Sequence, residues 1–450
     1  MKCNNLVIEN LLNDENQNEK YNFVDYTNLL KTNVNFAKNK SISVHRWYPF
    51  VEGFSEHFIT GILDEIKFEN IRCLEPFAGS GTTPLVLQGK GIPCCSFEVS
   101  PFMHLLTSVK LRTDYTTKGF DLATESIKKS IAESSLCIRS MIEPPILKSI
   151  IDRDKRDKWL FNKKVMYGIL DIKYGILVLK NKKYRELFKV ALASILLEIS
   201  NVYRNGKCLS YKKNWTDKQI TREYVHELFM NKLTTIFKED IKSMQDYKRE
   251  NKKQFSNYKL CNKGDVRKKI DLVENNSINL VITSPPYLNS RDYTDSYMIE
   301  LWVLDLVRSY PNVRELRENT IRSHVQIKWK QEEILNISSL IEAYNNILTF
   351  KAEFWNDSIP DMIIGYFNDM NVLFGKFNMK MVSGGKVYFN VANSAYYGVH
   401  IPTDVIIAEI AEKNGFLINE IRIARHIPSS SQQKDKIGYL RESVVVMTKI

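Results

Sequence analysis

The sequence predicts an α/β chain built on a doubly wound, mostly parallel sheet and interrupted by a mainly helical insertion. Three observations predict it. Residues 71–110, IRCLEPFAGSGTTPLVLQGKGIPCCSFEVSPFMHLLTSVK, read as strand, Gly-rich turn, helix, strand and helix, which is the βαβ opening of a parallel sheet. The strand pattern resumes only at SINLVITSPPY (277–287) and continues in GGKVYFNVAN (384–393), followed by the helical PTDVIIAEIAEKNGF (402–416). Between these halves, residues 112–258 are rich in lysine and poor in glycine. They carry long helical patterns such as YRELFKVALASILLEISNVYRN (184–205) and EYVHELFMNKLTTIFKEDIKSMQDYKREN (223–251). The chain closes on two strand-like runs, INEIRIARHI (418–427) and ESVVVMTKI (442–450), which flank a polar loop and suit a terminal antiparallel pair.

Four segments follow: an arm or small helical cap over 1–43, a first α/β half over 44–111, the insertion over 112–258 and a second half over 259–450. An aromatic loop leading into an amphipathic helix, VHRWYPFVEGFSEHFITGIL (44–63), opens the first half.

A length of 450 residues exceeds one ordinary core, and the 44% hydrophobic content excludes a disordered chain. No run of about 18 apolar residues occurs, so no membrane span is expected. The first twenty residues lack a basic region followed by an apolar run, which predicts a cytoplasmic location. The seven cysteines are scattered, without a CxxC pair, and Cys94 and Cys95 are adjacent. Reduced thiols are expected and no metal site. A formal net charge of +12 favours a polyanionic partner.

The residues that carry chemistry sit at strand ends. In LEPFAGSGTT (74–83), Gly79 and Gly81 let the backbone turn tightly, and their amides near a helix start suit a carboxylate or phosphate. A bare GxG also serves packing alone, and this turn lacks both the GK[ST] ending of a triphosphate loop and the GxGxxG spacing of a dinucleotide site. Glu98, at the end of the next strand, is placed to accept both hydroxyls of a ribose, or else to cap a helix. Asp265, in NKGDVRKK, suits the amino group of an adenine, or is an ordinary turn acid. TSPPY (283–287) is the sharper signal. Two prolines after a buried strand fix an extended turn. Ser284 offers a hydroxyl acceptor, Pro285 a carbonyl with no amide at Pro286 to pair with, and Tyr287 a flat face for a base.

The pair LEPFAGSGTT and TSPPY resembles the DNA amino-methyltransferases, which make N4-methylcytosine or N6-methyladenine. HRWYPFVEGFS, FEVSPF, KGD and SYMIELWVL (296–304) extend the resemblance, which covers roughly 44–110 and 260–450 and leaves out the helical middle. It implies a seven-stranded sheet and S-adenosylmethionine as cofactor. The cofactor residues it implies are Tyr48, Phe54, Glu75, Pro76, Phe77, Gly79, Gly81, Thr82, Glu98 and Asp265. Ser284, Pro285, Pro286 and Tyr287 become the catalytic turn. The cofactor half precedes TSPPY, an order in which a target-recognition region separates the halves, so 112–258 is expected to read double-stranded DNA. The basic stretch 314–330 shares that surface. The target base must leave the duplex, because its amino group is otherwise paired, and residues 288–297 are expected to line its pocket. Serine before Pro-Pro implies cytosine N4, with adenine N6 as the alternative. A separate restriction endonuclease is the expected partner.

Carbon-5 methylation needs a cysteine nucleophile. Pro93-Cys94 is followed by Cys95 rather than glutamine and enters the second strand, so that chemistry is rejected. An RNA methyltransferase and a noncatalytic DNA-binding subunit remain as alternatives.

Overall fold

The computed structural model describes residues 20–450 except 138, 153–156, 206–207, 252–260, 289–291, 430–432 and 434. The first nineteen residues of the expected arm, the end of the insertion, the centre of the 288–297 stretch and most of the tip of the polar loop therefore lie outside the described residues.

Twelve described strands run in chain order: β1 (Phe23–Asp25), β2 (Cys73–Glu75), β3 (Cys94–Glu98), β4 (Val202–Asn205), β5 (Cys208–Tyr211), β6 (Asn262–Lys263), β7 (Ile278–Thr283), β8 (Met381–Ala392), β9 (Ser394–Tyr396), β10 (Val399–Ile401), β11 (Phe416–Pro428) and β12 (Tyr439–Lys449). Eight of them form one sheet in the order β1-β11-β12-β8-β7-β2-β3-β6. All neighbours are parallel except β12, which runs antiparallel to β11 and β8. The terminal antiparallel pair is as expected. The expected count of seven strands is corrected to eight, because β1 comes from the segment read as an arm or helical cap and pairs in parallel with β11.

Helices cover both faces, which is why the central strands read as nearly unbroken apolar runs. Five of the six residues of β7, INLVIT, are buried. One face packs Ile359–Lys380, Ser338–Leu348 and Thr403–Lys413 against β7, β8, β11 and β12. The other packs Glu56–Glu65 and the Thr82–Gly89 helix.

The insertion is mainly helical, with Thr117–Ser135, Lys163–Val178, Lys182–Ile199, Arg222–Lys232 and Lys238–Glu250. A single π-helical stretch, Leu233–Phe237, joins the last two. The helix expected to reach 205 stops at Ile199. There the Ser200 hydroxyl engages the Leu197 and Val202 carbonyls, and the chain turns into the β4–β5 hairpin. The insertion shares a single apolar core with the Pro101–Leu111 helix and with residues 297–307.

The hairpin anchors that junction through Arg204 on β4. Its guanidinium donates to Glu300 Oε1 at 2.6 Å and to the Tyr48 hydroxyl at 2.7 Å, and it lies 4.3 Å from the Tyr297 ring centroid. Glu300 is fully buried. Removing one partner of such a pair leaves an uncompensated buried charge. Arg204→Ala should therefore lower stability by about 3–5 kcal/mol, read as a shifted urea midpoint. A midpoint within error of the parent would show that the pair contributes nothing.

Candidate active site

The strand order reverses between β2 and β7, and the carboxyl ends of β2, β3, β6, β7 and β8 open onto one cleft. Ligands of open α/β sheets sit at such a switch point. The cleft has a volume of about 590 Å³, within the size range of small-molecule sites.

The Gly-rich turn forms its floor. Gly79 and Gly81 stand at φ +52° and +83°, a left-handed backbone that other residues rarely adopt. A Cβ at Gly81 would come within 2.9 Å of Thr107, so the turn sits directly on the helix Pro101–Leu111. Thr107 donates to the Gly79 carbonyl at 2.9 Å, and buried Lys110 donates to the Ser80 carbonyl at 2.9 Å. The expectation that the glycine amides are available to an anionic group is corrected. Gly79 N–H already donates to Glu98 Oε2 at 2.8 Å, and Gly81 N–H donates to the Ala78 carbonyl at 2.8 Å.

Glu98 also accepts the Ser100 amide at 2.7 Å. Burial pushes its carboxyl up to about 7, against the lowering effect of these amides. Asp265 caps a short helix and is held by Arg267, whose other arm reaches Asp369 at 2.7 Å.

Most of the expected site residues line the cleft together: Phe54, Pro76, Phe77, Gly79, Thr82, Glu98 and Asp265, with Ser284, Pro285, Pro286 and Tyr287. Three stand behind it. Gly81 is under the turn. Tyr48 is buried against Glu300 and Arg204. Glu75 is fully engaged inside the protein, accepting from Thr283 at 2.6 Å, Thr83 at 2.7 Å and the Phe77 amide at 3.0 Å. Burial pushes its carboxyl up to about 8. It ties the Gly-rich turn to the strand that carries TSPPY and is not exposed to a ligand.

Sequence reasoning missed several wall residues. Phe50 lies 3.5 Å from the place a Gly79 Cβ would occupy, and Glu52 accepts at 2.7 Å from Tyr297, which with Leu288, Tyr293 and Thr294 lines the cleft from the 288–297 stretch expected there. Asn390 and Asn393, at and just beyond the end of β8, and Arg425 and Glu442, on β11 and β12, complete the wall beside TSPPY. The Tyr287 hydroxyl donates to Glu442 Oε1 at 2.7 Å. Only the apolar partners of those strands carried a periodic signal.

The basic stretch 314–330 is less available than its sequence suggests. Arg314 pairs with Glu318, Arg317 with Asp292 and Asp295, and Arg322 with Glu332 and Asp369. Lys328 and Lys330 are exposed.

No family model matches the chain, and no solved structure does. Curated relatives match along nearly its whole length. The type II methyltransferase M.BsoBI of Geobacillus stearothermophilus is 27% identical over 467 residues, covering 92% of this chain and 87% of the relative. M.AvaI of Anabaena variabilis is 27% identical over 92% of this chain and 88% of its own. M.MvaI of Kocuria varians is 23% identical, covering 95% and 91%. The chain is thus similar to type II methyltransferases along nearly its whole length. The match spans the helical middle, which the motif resemblance does not. In this chain the Gly-rich turn and TSPPY line one cleft at the switch point of the sheet.

Proposed function

We propose that this methyltransferase transfers a methyl group from S-adenosylmethionine to N4 of a cytosine extruded from duplex DNA, at a specific site and alongside a separate restriction endonuclease. The observation that carries this reading is the shared cleft, with Ser284 and Pro285 on the same wall system as Glu98 and the Gly-rich turn. Serine before Pro-Pro favours cytosine in the resembling family. Residues 112–258, with Lys328 and Lys330, are the proposed target-reading surface.

The cleft fits the cofactor. A buried carboxylate, Glu98, stands at a strand end where a ribose diol needs acceptors, Asp265 suits an amino group, and Phe50, Phe54 and Phe77 supply apolar faces. When bound, the cofactor supplies a methyl carbon made electrophilic by its sulfonium. The chain's residues do the rest. The Ser284 hydroxyl and the Pro285 carbonyl accept hydrogen bonds from the amino group, draw its lone pair out of conjugation with the ring and stabilise the positive charge that develops on nitrogen. Tyr287 offers its ring to the extruded base, and the buried walls exclude water.

The Glu98 role has a pH signature. The ionised carboxylate is the better acceptor for two hydroxyls. Its proton is bound below about pH 7, so binding there must release it. Cofactor affinity should fall about tenfold between pH 8 and pH 6, and Glu98→Gln should flatten the profile. Calorimetric titrations giving the same slope in both proteins would remove Glu98 from the site.

The reading is tested by incubating the protein with labelled S-adenosylmethionine and either polymerase-amplified duplex DNA or transfer RNA. Label in the duplex alone is expected. Label in transfer RNA alone, or in neither, would overturn it.

A further inference from the structure

Ser284 carries one hydroxyl proton, and its usefulness depends on where that proton points. Turned into the cleft, it would meet an incoming N–H with another donor. The structure specifies its direction. Ser284 Oγ donates to the Tyr287 hydroxyl oxygen at 3.2 Å. That oxygen also accepts from Asn390 Nδ2 at 2.7 Å and donates to Glu442 Oε1 at 2.7 Å. One proton and two lone pairs are all a phenol has, so the Tyr287 oxygen is saturated. Its polarity is set from the far end. Glu442 is 1% exposed, accepts from Asn390 Nδ2 at 3.0 Å and is held by Arg425 Nε at 2.6 Å. An ionised carboxylate only accepts, so Tyr287 must donate toward it and is left to accept from Ser284.

The same carboxylate orients Asn390. Its Nδ2 is committed to Glu442 and Tyr287, so its Oδ1, buried and without a partner among the described residues, is the face that remains. Ser284 and Asn390 both line the cleft.

We infer that Glu442 is a positioning residue that fixes the Ser284–Tyr287–Asn390 network in one polarity and so makes the catalytic wall an acceptor surface. Such a wall takes an exocyclic amino group and repels a base that presents a carbonyl at the same place. The inference rests on the proposed reading of the cleft and adds to it a residue on β12 that acts through Tyr287.

Glu442→Gln keeps the shape and removes the constraint. The amide can donate to Tyr287 while its oxygen accepts from Arg425, which turns the Tyr287 proton toward Ser284 and the Ser284 proton into the cleft. Methyl transfer to polymerase-amplified duplex DNA should fall about a hundredfold, the loss typical of one misdirected charge-stabilising hydrogen bond. Cofactor affinity by calorimetry and the thermal midpoint should stay close to the parent's. The decisive readout is a double-mutant cycle. In a Ser284→Ala background, Glu442→Gln should cost less than about tenfold more, because the part of its effect that passes through the missing hydroxyl is gone and only the part through Asn390 remains. Tyr287→Phe, which keeps the ring and breaks the chain in the middle, provides the same cycle should Glu442→Gln not fold. Losses that multiply in either cycle, or a Glu442→Gln enzyme with parental turnover, would overturn the inference. A parent enzyme that labels no DNA would instead overturn the proposed function.

Discussion

Ser284→Ala should bind S-adenosylmethionine as the parent does and transfer methyl about a hundredfold more slowly. The cofactor side of the cleft is built from β2, β3 and the loop after β6, none of which Ser284 touches in its hydrogen bonding. What the substitution removes is an acceptor needed most when nitrogen becomes positive, so the loss should fall on turnover rather than on cofactor affinity. The fold should tolerate the change. The Tyr287 oxygen keeps its bonds to Asn390 and Glu442, and Thr283, one residue earlier, keeps its bond to Glu75. Single-turnover kinetics with labelled cofactor measures the effect. A rate within threefold of the parent would make TSPPY a structural turn.

Gly79→Val should weaken cofactor binding by about a hundredfold or more. At φ +52° a β-branched residue is strained, and a misplaced backbone of this kind costs about 1–3 kcal/mol. The side chain would also start 3.5 Å from Phe50, a cleft-lining ring. A backbone that relaxes to relieve this gives up the Gly79–Glu98 and Thr107–Gly79 bonds, which set both the turn and the carboxylate. At about 1.4 kcal/mol per tenfold, the combined loss reaches two orders of magnitude. The strain is local to one turn of a large sheet, so the variant should remain folded. Calorimetry on a folded variant with parental affinity would remove the turn from the site.

The sequence disclosed the sheet because its central strands are buried on both faces. SINLVITSPPY and GGKVYFNVAN stand out as apolar runs ending in turn chemistry, and both end at the cleft. It did not disclose the longest described helix, Ile359–Lys380 (IPDMIIGYFNDMNVLFGKFNMK). That helix is buried around most of its circumference, so its apolar residues follow no single stripe, and Gly365 and Gly375 weaken its local propensity. The strand β1 was hidden for the opposite reason. Three residues of FVD are too few for a pattern, and its pairing partner lies almost four hundred residues away.

The site divides in the same way. Glycines and prolines announce backbone constraints, so both turns were legible. Glu75 was legible as part of the first turn, but its direction was not, because the two hydroxyls that claim it come from Thr83 and from the distant Thr283. Glu442 stood in plain view as the acid heading ESVVVMTKI. Nothing local marks it as buried beside Arg425 and Tyr287, since those contacts exist only once β11 and β12 pair next to β8.

The proposed reaction is methylation of an exocyclic amino group at the TSPPY turn. Digesting enzyme-treated duplex DNA to nucleosides and identifying the modified one by mass spectrometry tests it most directly. The account predicts N4-methyldeoxycytidine. N6-methyldeoxyadenosine would correct the base and leave the amino chemistry standing, whereas 5-methyldeoxycytidine, or no methylated nucleoside, would contradict the account.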